Sequence, residues 1–251
     1  MNAARIAALL EPFLDQPLLP SQLDQVSTYI DLLLRWNARI NLTAIRRPEE
    51  IITRHFGESF FLARHLFPAI SKPCHPERSQ DMREADVLAE SKDPCVSSLS
   101  ALPQGVLPAP SNPPRVLDIG SGAGFPALPL KIWAPNIHLT LIESNNKKAA
   151  FLREVARALT LTSINVITDR AETLAARQDF PRADIVTLRA VERFDTILPL
   201  AVTFFTPNAS LALLIGIAQI PHLTALTAMK WYKPIPVPQS HERVLSIGVR
   251  H

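Results

Sequence analysis

The chain has 251 residues, 47% of them hydrophobic and 20% charged, with a formal net charge of +3. That length suits one large domain or one domain with additions, and no run approaches the roughly 18 uninterrupted apolar residues of a membrane span. Arg5 without a following apolar segment and cleavage site predicts no export, and two cysteines without metal-ligand spacing, Cys74 and Cys95, predict a reducing, cytoplasmic setting.

Residues 1–70 read as a helical cap. Ala3 to Leu14 is apolar at helical spacing, and Ser21 is placed to N-cap a helix over Leu23 to Ala38, with Val26, Ile30, Leu33 and Leu34 as its stripe. Asn37 to Thr43 breaks that pattern, and Pro48-Glu49-Glu50 starts a helix running from Ile51 to Leu66. Residues 71–114 carry eight of the 23 prolines and no periodicity, which predicts a disordered or loosely attached insertion. From Arg115 strands and helices alternate, so residues 115–251 predict a mostly parallel, doubly wound α/β sheet. Strands are expected at 115–119, 137–142, 164–168, 184–188 and 210–215, and helices at 125–133, 146–160, 171–178, 195–205 and 217–229. Trp231 to Val237 and Arg243 to Val249 then follow without a helix between them and predict a closing antiparallel, hairpin-like pair.

Seven glycines serve the whole chain, and Gly120, Gly122 and Gly124 fall at alternate positions directly after the apolar run Val116 to Ile119. A strand opening through such a loop onto a helix receives a nucleotide-like ligand at the carboxyl ends of an open sheet. Glu143 ends the next apolar run, 23 residues beyond Gly120, where an acid suits the two hydroxyls of an adenosine ribose. NAD and S-adenosylmethionine share that feature. The tight G-x-G-x-G spacing, with Asp118 two residues ahead of it, favours S-adenosylmethionine, which has no pyrophosphate to cradle. The antiparallel ending also suits a methyltransferase sheet better than a dehydrogenase one. For Asp118 itself, hydrogen bonds to the loop amides are expected ahead of ligand contact.

Charge is unevenly spread: residues 115–251 hold fifteen Lys/Arg against ten Asp/Glu, whereas residues 1–70 hold seven of each. The basic excess is compatible with an anionic partner or with a merely solvated surface. Lys147 and Lys148 begin a helix, against its dipole, which suits either phosphate contact or a solvated face.

Several stretches together resemble the RsmG (GidB) family of bacterial 16S rRNA methyltransferases. They are Arg35-Trp-Asn-Ala-Arg-Ile-Asn-Leu-Thr43 with Arg54-His55 and Glu58-Ser59, then Val116 to Pro126 with Pro129-Leu130. Glu143-Ser144, Lys147-Lys148, Phe151 to Glu154, Arg170-Ala171-Glu172 and Arg189-Ala190 complete the set. The resemblance covers 21–70 and 115–251. It implies a Rossmann-like class I methyltransferase with an N-terminal helical cap, a monomer, using S-adenosyl-L-methionine. The methyl acceptor would be N7 of one guanine in the decoding-region loop of small-subunit rRNA, on the subunit or its precursor. Carried-over cofactor positions are Gly120, Phe125, Ala171, Glu172 and Arg189, with Glu143 where the family usually has Asp. Gly122 and Gly124 join them from the loop itself. For Arg189 an ion pair with Glu192 is the alternative.

Candidate RNA contacts are Asn37, Asn41, Arg54, His55, Lys147 and Lys148, with Arg35, Arg39, Arg46 and Arg47 as backbone-positioning cations. Thr43 reads as a turn residue. No catalytic acid or base is expected, because guanine N7 carries an in-plane lone pair and no proton; catalysis reduces to positioning. Ala127 stands where the family has Gly, and Ile215-Gly216 where it commonly has Lys-Gly, which removes a cation expected near the target site. Two rival readings are a ribosome-binding protein that has lost turnover and a small-molecule methyltransferase.

Overall fold

The computed structural model describes residues 1–68, 113–189 and 194–250. All but Pro113 and Pro114 of the predicted segment 71–114 lies outside them, as do Ala190 and Glu192.

Helix α1 spans Ala3–Leu10, capped by the Asn2 side chain, and α2 spans Pro20–Asn37. The predicted cap Ser21 instead lies in the first turn of α2. Pro20 takes the first helical position, where its missing N–H costs nothing, and Gln22 Oε1 accepts the Leu19 N–H at 2.9 Å. The helical run predicted from Pro48 divides into α3 (Pro48–Ile51), a π turn (Ile52–Gly57) and α4 (Glu58–Leu66). Such turns insert an extra residue into a helix and often mark functional sites; His55 sits in this one.

The sheet follows the predicted alternation. Its strands are β1 Arg115–Ile119, β2 His138–Ile142, β3 Ile164–Ile167, β4 Ala183–Arg189, β5 Phe205–Gly216, β6 Met229–Trp231, β7 Ile235–Pro236 and β8 Arg243–Arg250. Helices α5 (Ala127–Trp133), α6 (Asn146–Ala158), α7 (Ala171–Ala175) and α8 (Phe194–Ala201) connect them. The helix predicted over 217–229 is a 3-10 helix, Ile217–Ala225, with Pro221 inside it, where no N–H is available for an α-helical ladder. The order is β3-β2-β1-β4-β5-β8-β6, parallel from β3 to β5. The closing strands do more than form a hairpin: β8 inserts antiparallel between β5 and β6, and β7 pairs with it as well.

Alternation along the strands sends side chains to two apolar clusters. Val116, Leu139 and Leu214 join α1, α2, α4, α5 and α6 on one face; Leu117, Ile142 and Leu213 join α7 and α8 on the other. The N-terminal helices therefore share a core with the sheet. Polar bonds reinforce that face: Gln22 Nε2 donates to the Ile132 carbonyl at 2.8 Å, and Trp36 Nε1 to Glu154 Oε2 at 3.0 Å. Tyr29 of α2 reaches furthest, donating its hydroxyl to the Ala123 carbonyl inside the glycine loop and stacking on Phe125 with centroids 5.3 Å apart.

Tyr29→Phe leaves that carbonyl buried without its donor. It is expected to cost about 1–3 kcal/mol of stability, read as a lowered urea midpoint, with faster amide exchange in 120–125 than in α4.

Candidate functional site at the carboxyl edge of the sheet

The loop after β1 turns because Gly120, Gly122 and Gly124 all adopt positive φ, at 71°, 54° and 86°. The Gly120 and Ser121 amides both donate to the Ile142 carbonyl, at 2.9 and 3.0 Å, which fastens the loop to the end of β2. Glu143 completes the join. Its Oε2 accepts the Gly122 N–H and its Oε1 the Asn145 N–H, each at 2.8 Å. Both carboxylate oxygens keep a further lone pair, a donor-seeking arrangement suited to a pair of ribose hydroxyls. Asn145 in turn caps α6, accepting from the Lys147 and Lys148 amides.

Over this edge lies a cavity of about 620 Å³. Gly120, Gly122, Phe125, Glu143, Ala171, Glu172 and Arg189 all border it, as do Lys148, Asp169, Arg170 and the apolar Ile119, Ile142 and Ile197. Gly124 does not. A Cβ there would run into the Tyr29 hydroxyl and into Leu128 Cδ1 at 2.6 Å, so Gly124 is a packing glycine turned toward the helices. At Gly122 the nearest atom to a Cβ is the Gly120 carbonyl oxygen at 3.8 Å, so that face is open.

Asp118 lies behind the loop and bonds none of its amides, contrary to the expectation for it. It is buried, Oδ1 accepts the Thr187 hydroxyl at 2.6 Å, and Oδ2 has no partner among the described residues. Burial raises its pKa to about 7, against the lowering effect of the Thr187 and Ser121 hydroxyls.

The opposite wall comes from the N-terminal region: Leu42 and Thr43 from the loop after α2, and His55 from the π turn. His55 stacks on Phe125 with centroids 4.7 Å apart, 134 residues from its polar partner Arg189. Arg189 is no surface ion-pair residue. Its guanidinium donates to Glu58 Oε2 at 3.1 Å, to the Arg54 carbonyl at 2.6 Å and to His55 Nδ1 at 3.0 Å. Arg243 Nε also stands 3.0 Å from Glu58 Oε2, so two guanidiniums share one buried carboxylate. Burial, then Arg189, holds the His55 pKa down at about 3. His55 is neutral.

The other predicted RNA residues scatter. Asn37 is buried and spent within its own turn: Oδ1 accepts the Leu42 and Thr43 amides and Nδ2 donates to the Thr43 carbonyl. Asn41, Arg54 and Lys147 are exposed, whereas Lys148 is half-buried at the cavity. Lys147 lines a separate groove with Arg35, Arg39 and Trp36. Ile215 is buried in the apolar cluster of the α8 face and is not among the residues lining the cavity. Tyr29 carried no sequence signal, and Leu42 lay within the quoted motif without a role of its own. Glu58 lay within the quoted motif, but nothing local pointed to Arg189 as its partner.

The profile of the family described as rRNA small subunit methyltransferase G matches residues 22–71 and 100–231. This chain belongs to that family. Relatives named ribosomal RNA small subunit methyltransferase G include those of Bacillus subtilis (strain 168), 31% identical over 75% of this chain and 62% of its own, and Roseiflexus castenholzii, 36% identical over 70% and 58%. That of Chloroflexus aggregans is 36% identical over 74% of this chain and 60% of its own. The matched part thus spans less than two thirds of the length of these relatives. Among solved structures, a SAM dependent methyltransferase from Aquifex aeolicus aligns over 56% of this chain and 84% of its own, at 14% identity and a TM-score of 0.46, too slight a likeness to bear on function. The matched segment 22–71 includes His55, whose ring stacks on Phe125 of the glycine loop.

Two glycine variants should separate packing from binding. Gly124→Ala is expected to lose about 2–5 kcal/mol from overlap and left-handed strain, seen in thermal unfolding. Gly122→Ala should lose only about 1–2 kcal/mol from strain while weakening ligand binding at least about tenfold by calorimetry, since its methyl enters the open face.

A pH series tests the two buried titrations. Native Asp118, near 7, holds a proton the unfolded chain releases near 3.8, so its contribution is full below about 4 and lost as pH rises through 7. Native His55, near 3, refuses a proton the unfolded chain takes near 6.5, so its contribution is full above 6.5 and lost as pH falls toward 3. The two oppose one another between. Asp118→Asn should therefore lose more stability than the parent on acidification from pH 7 to 4, measured by urea midpoints.

Proposed function

We propose that this protein transfers the methyl group of S-adenosylmethionine to N7 of one guanine in the decoding-region loop of 16S rRNA, on the small ribosomal subunit or its precursor in the cytoplasm. The observation that carries the reading is the state of His55. It is the imidazole on the cavity wall, it is neutral, and its Nδ1 lone pair is taken by Arg189. An imidazole so placed removes no proton, and guanine N7 needs none removed. Methylation of an exocyclic amine or a ribose hydroxyl would need a base.

The residues present fit the methyl donor. Glu143, held by two main-chain amides, has lone pairs left for two ribose hydroxyls, Gly122 leaves its face open, and Ile119, Ile142 and Ile197 offer apolar surface for a nucleobase. When bound, the donor supplies an electrophilic methyl on a sulfonium. The protein's part is placement. Phe125, clasped between Tyr29 and His55, keeps the loop from shifting, and in-line positioning of this kind contributes about 7–11 kcal/mol to a displacement. The exposed Arg35, Arg39, Arg46 and Asn41 lie on the segment that also supplies the cavity wall, where phosphate contacts would orient the rRNA.

The test is labelled methyl transfer to small subunits from a strain lacking this protein, with N7-specific strand cleavage to map the product. One cleaved guanine in the decoding-region loop is expected, with affinity falling steeply as salt is added. Cofactor binding with no incorporation would instead identify a non-catalytic ribosome binder. Methyl transfer that needs no RNA would identify a small-molecule enzyme.

A further inference from the structure

Hydrogen-bond roles around His55 can be assigned without ambiguity. An arginine only donates, so Nδ1 of His55 is the acceptor of the 3.0 Å contact with Arg189, and the neutral ring must carry its proton on Nε2. Nε2 lies 2.7 Å from Thr43 Oγ1 and therefore donates to it. Thr43 Oγ1 also accepts the Ile45 N–H at 3.1 Å. A hydroxyl has two acceptor lone pairs and one proton. Both lone pairs of Thr43 are thus occupied, and its proton meets no acceptor among the described residues. Thr43 borders the cavity beside Leu42 and His55.

From this chain of donors we infer that Thr43 is a specificity-determining residue: a hydroxyl locked as donor toward the cavity, which takes O6 of the target purine and so presents N7. The inference rests on the guanine-N7 reading above and deepens it. On the major-groove edge, guanine offers two acceptors, N7 and O6, whereas adenine offers N7 beside an amino group that donates. A freely rotating, unoccupied hydroxyl would serve either base by switching between donor and acceptor. Thr43 has no such choice, because Arg189 fixes the His55 tautomer and His55 fills the lone pair that adenine would need. Guanine is accepted, and adenine would set donor against donor. The role expected for Thr43, a turn residue, is also real: its bond from Ile45 shapes the turn and completes the occupancy of the oxygen.

The experiment compares purines at the position the wild-type protein methylates. Small subunits are reconstituted with guanine, hypoxanthine or 2-aminopurine there; the first two keep O6 and the third lacks it while keeping N7. The wild type should prefer hypoxanthine over 2-aminopurine, and in Thr43→Val that ratio of kcat/KM should fall about tenfold, the worth of one hydrogen bond. Thr43→Ser, which keeps the hydroxyl, should retain the wild-type ratio. A ratio unchanged in Thr43→Val overturns the inference, as does a wild type that treats 2-aminopurine like hypoxanthine, an outcome that needs no variant to fold. If the wild type binds S-adenosylmethionine yet methylates no guanine, the functional reading itself has failed. Activity on guanine with the wrong purine ratios fails only the role of Thr43.

Discussion

A guanidinium taken out of water has to be met by a carboxylate and by acceptors for its remaining protons, and breaking such a pair costs about 3–5 kcal/mol. Arg189 stands at the carboxyl end of β4, and its partners Glu58, His55 and the Arg54 carbonyl all belong to the N-terminal helices. The helical layer and the working edge of the sheet are therefore fastened at one point. Arg243, from the first residue of β8, closes on the same carboxylate and extends the fastening to the antiparallel strand. Burial, and after it the positive locality left by two guanidiniums against one carboxylate, keep His55 neutral. One electrostatic constraint thus sets the position of the wall, the charge of its imidazole and the direction of every hydrogen bond out to Thr43.

The second fastening is apolar. Phe125 leaves the glycine loop to lie between Tyr29 and His55, with Phe56 edge-on at 5.0 Å. Tyr29 adds a hydrogen bond to the loop's own backbone. A loop rich in glycine would be a poor platform by itself, since it loses more conformational freedom on ordering than any other sequence. Here the rings restrain it from below, while Glu143 restrains it from the side through the Gly122 amide. The freedom that glycine provides is used to reach three left-handed conformations and is then removed.

Much of this was legible in the residues. Short apolar runs and glycines at alternate positions located β1, its loop and the acid at the end of β2, because those features depend on neighbours within a few residues. Seven of the eight residues read as cofactor-binding do border one cavity. Gly124 was misplaced because a spacing pattern cannot tell a glycine that faces a ligand from one that faces Tyr29. Asp118 sits beside the loop in sequence yet bonds none of its amides, whereas Glu143, 21 residues beyond Gly122, reaches that amide from the end of β2.

By itself, then, the sequence determined the order of elements, the parallel sheet, the glycine turn and the acid paired with it, all products of local periodicity and backbone sterics. It also carried the family signature, without the reason for it. Only the tertiary structure decided what Asn37, Thr43, His55, Glu58 and Arg189 do. Asn37 turns inward to hold a loop, while Thr43 turns outward to a cavity. Glu58 and Arg189 meet across 131 residues. The physical reason is that a buried polar group takes its role from whichever donor or acceptor the fold brings within about 3 Å, and no window of sequence contains that partner.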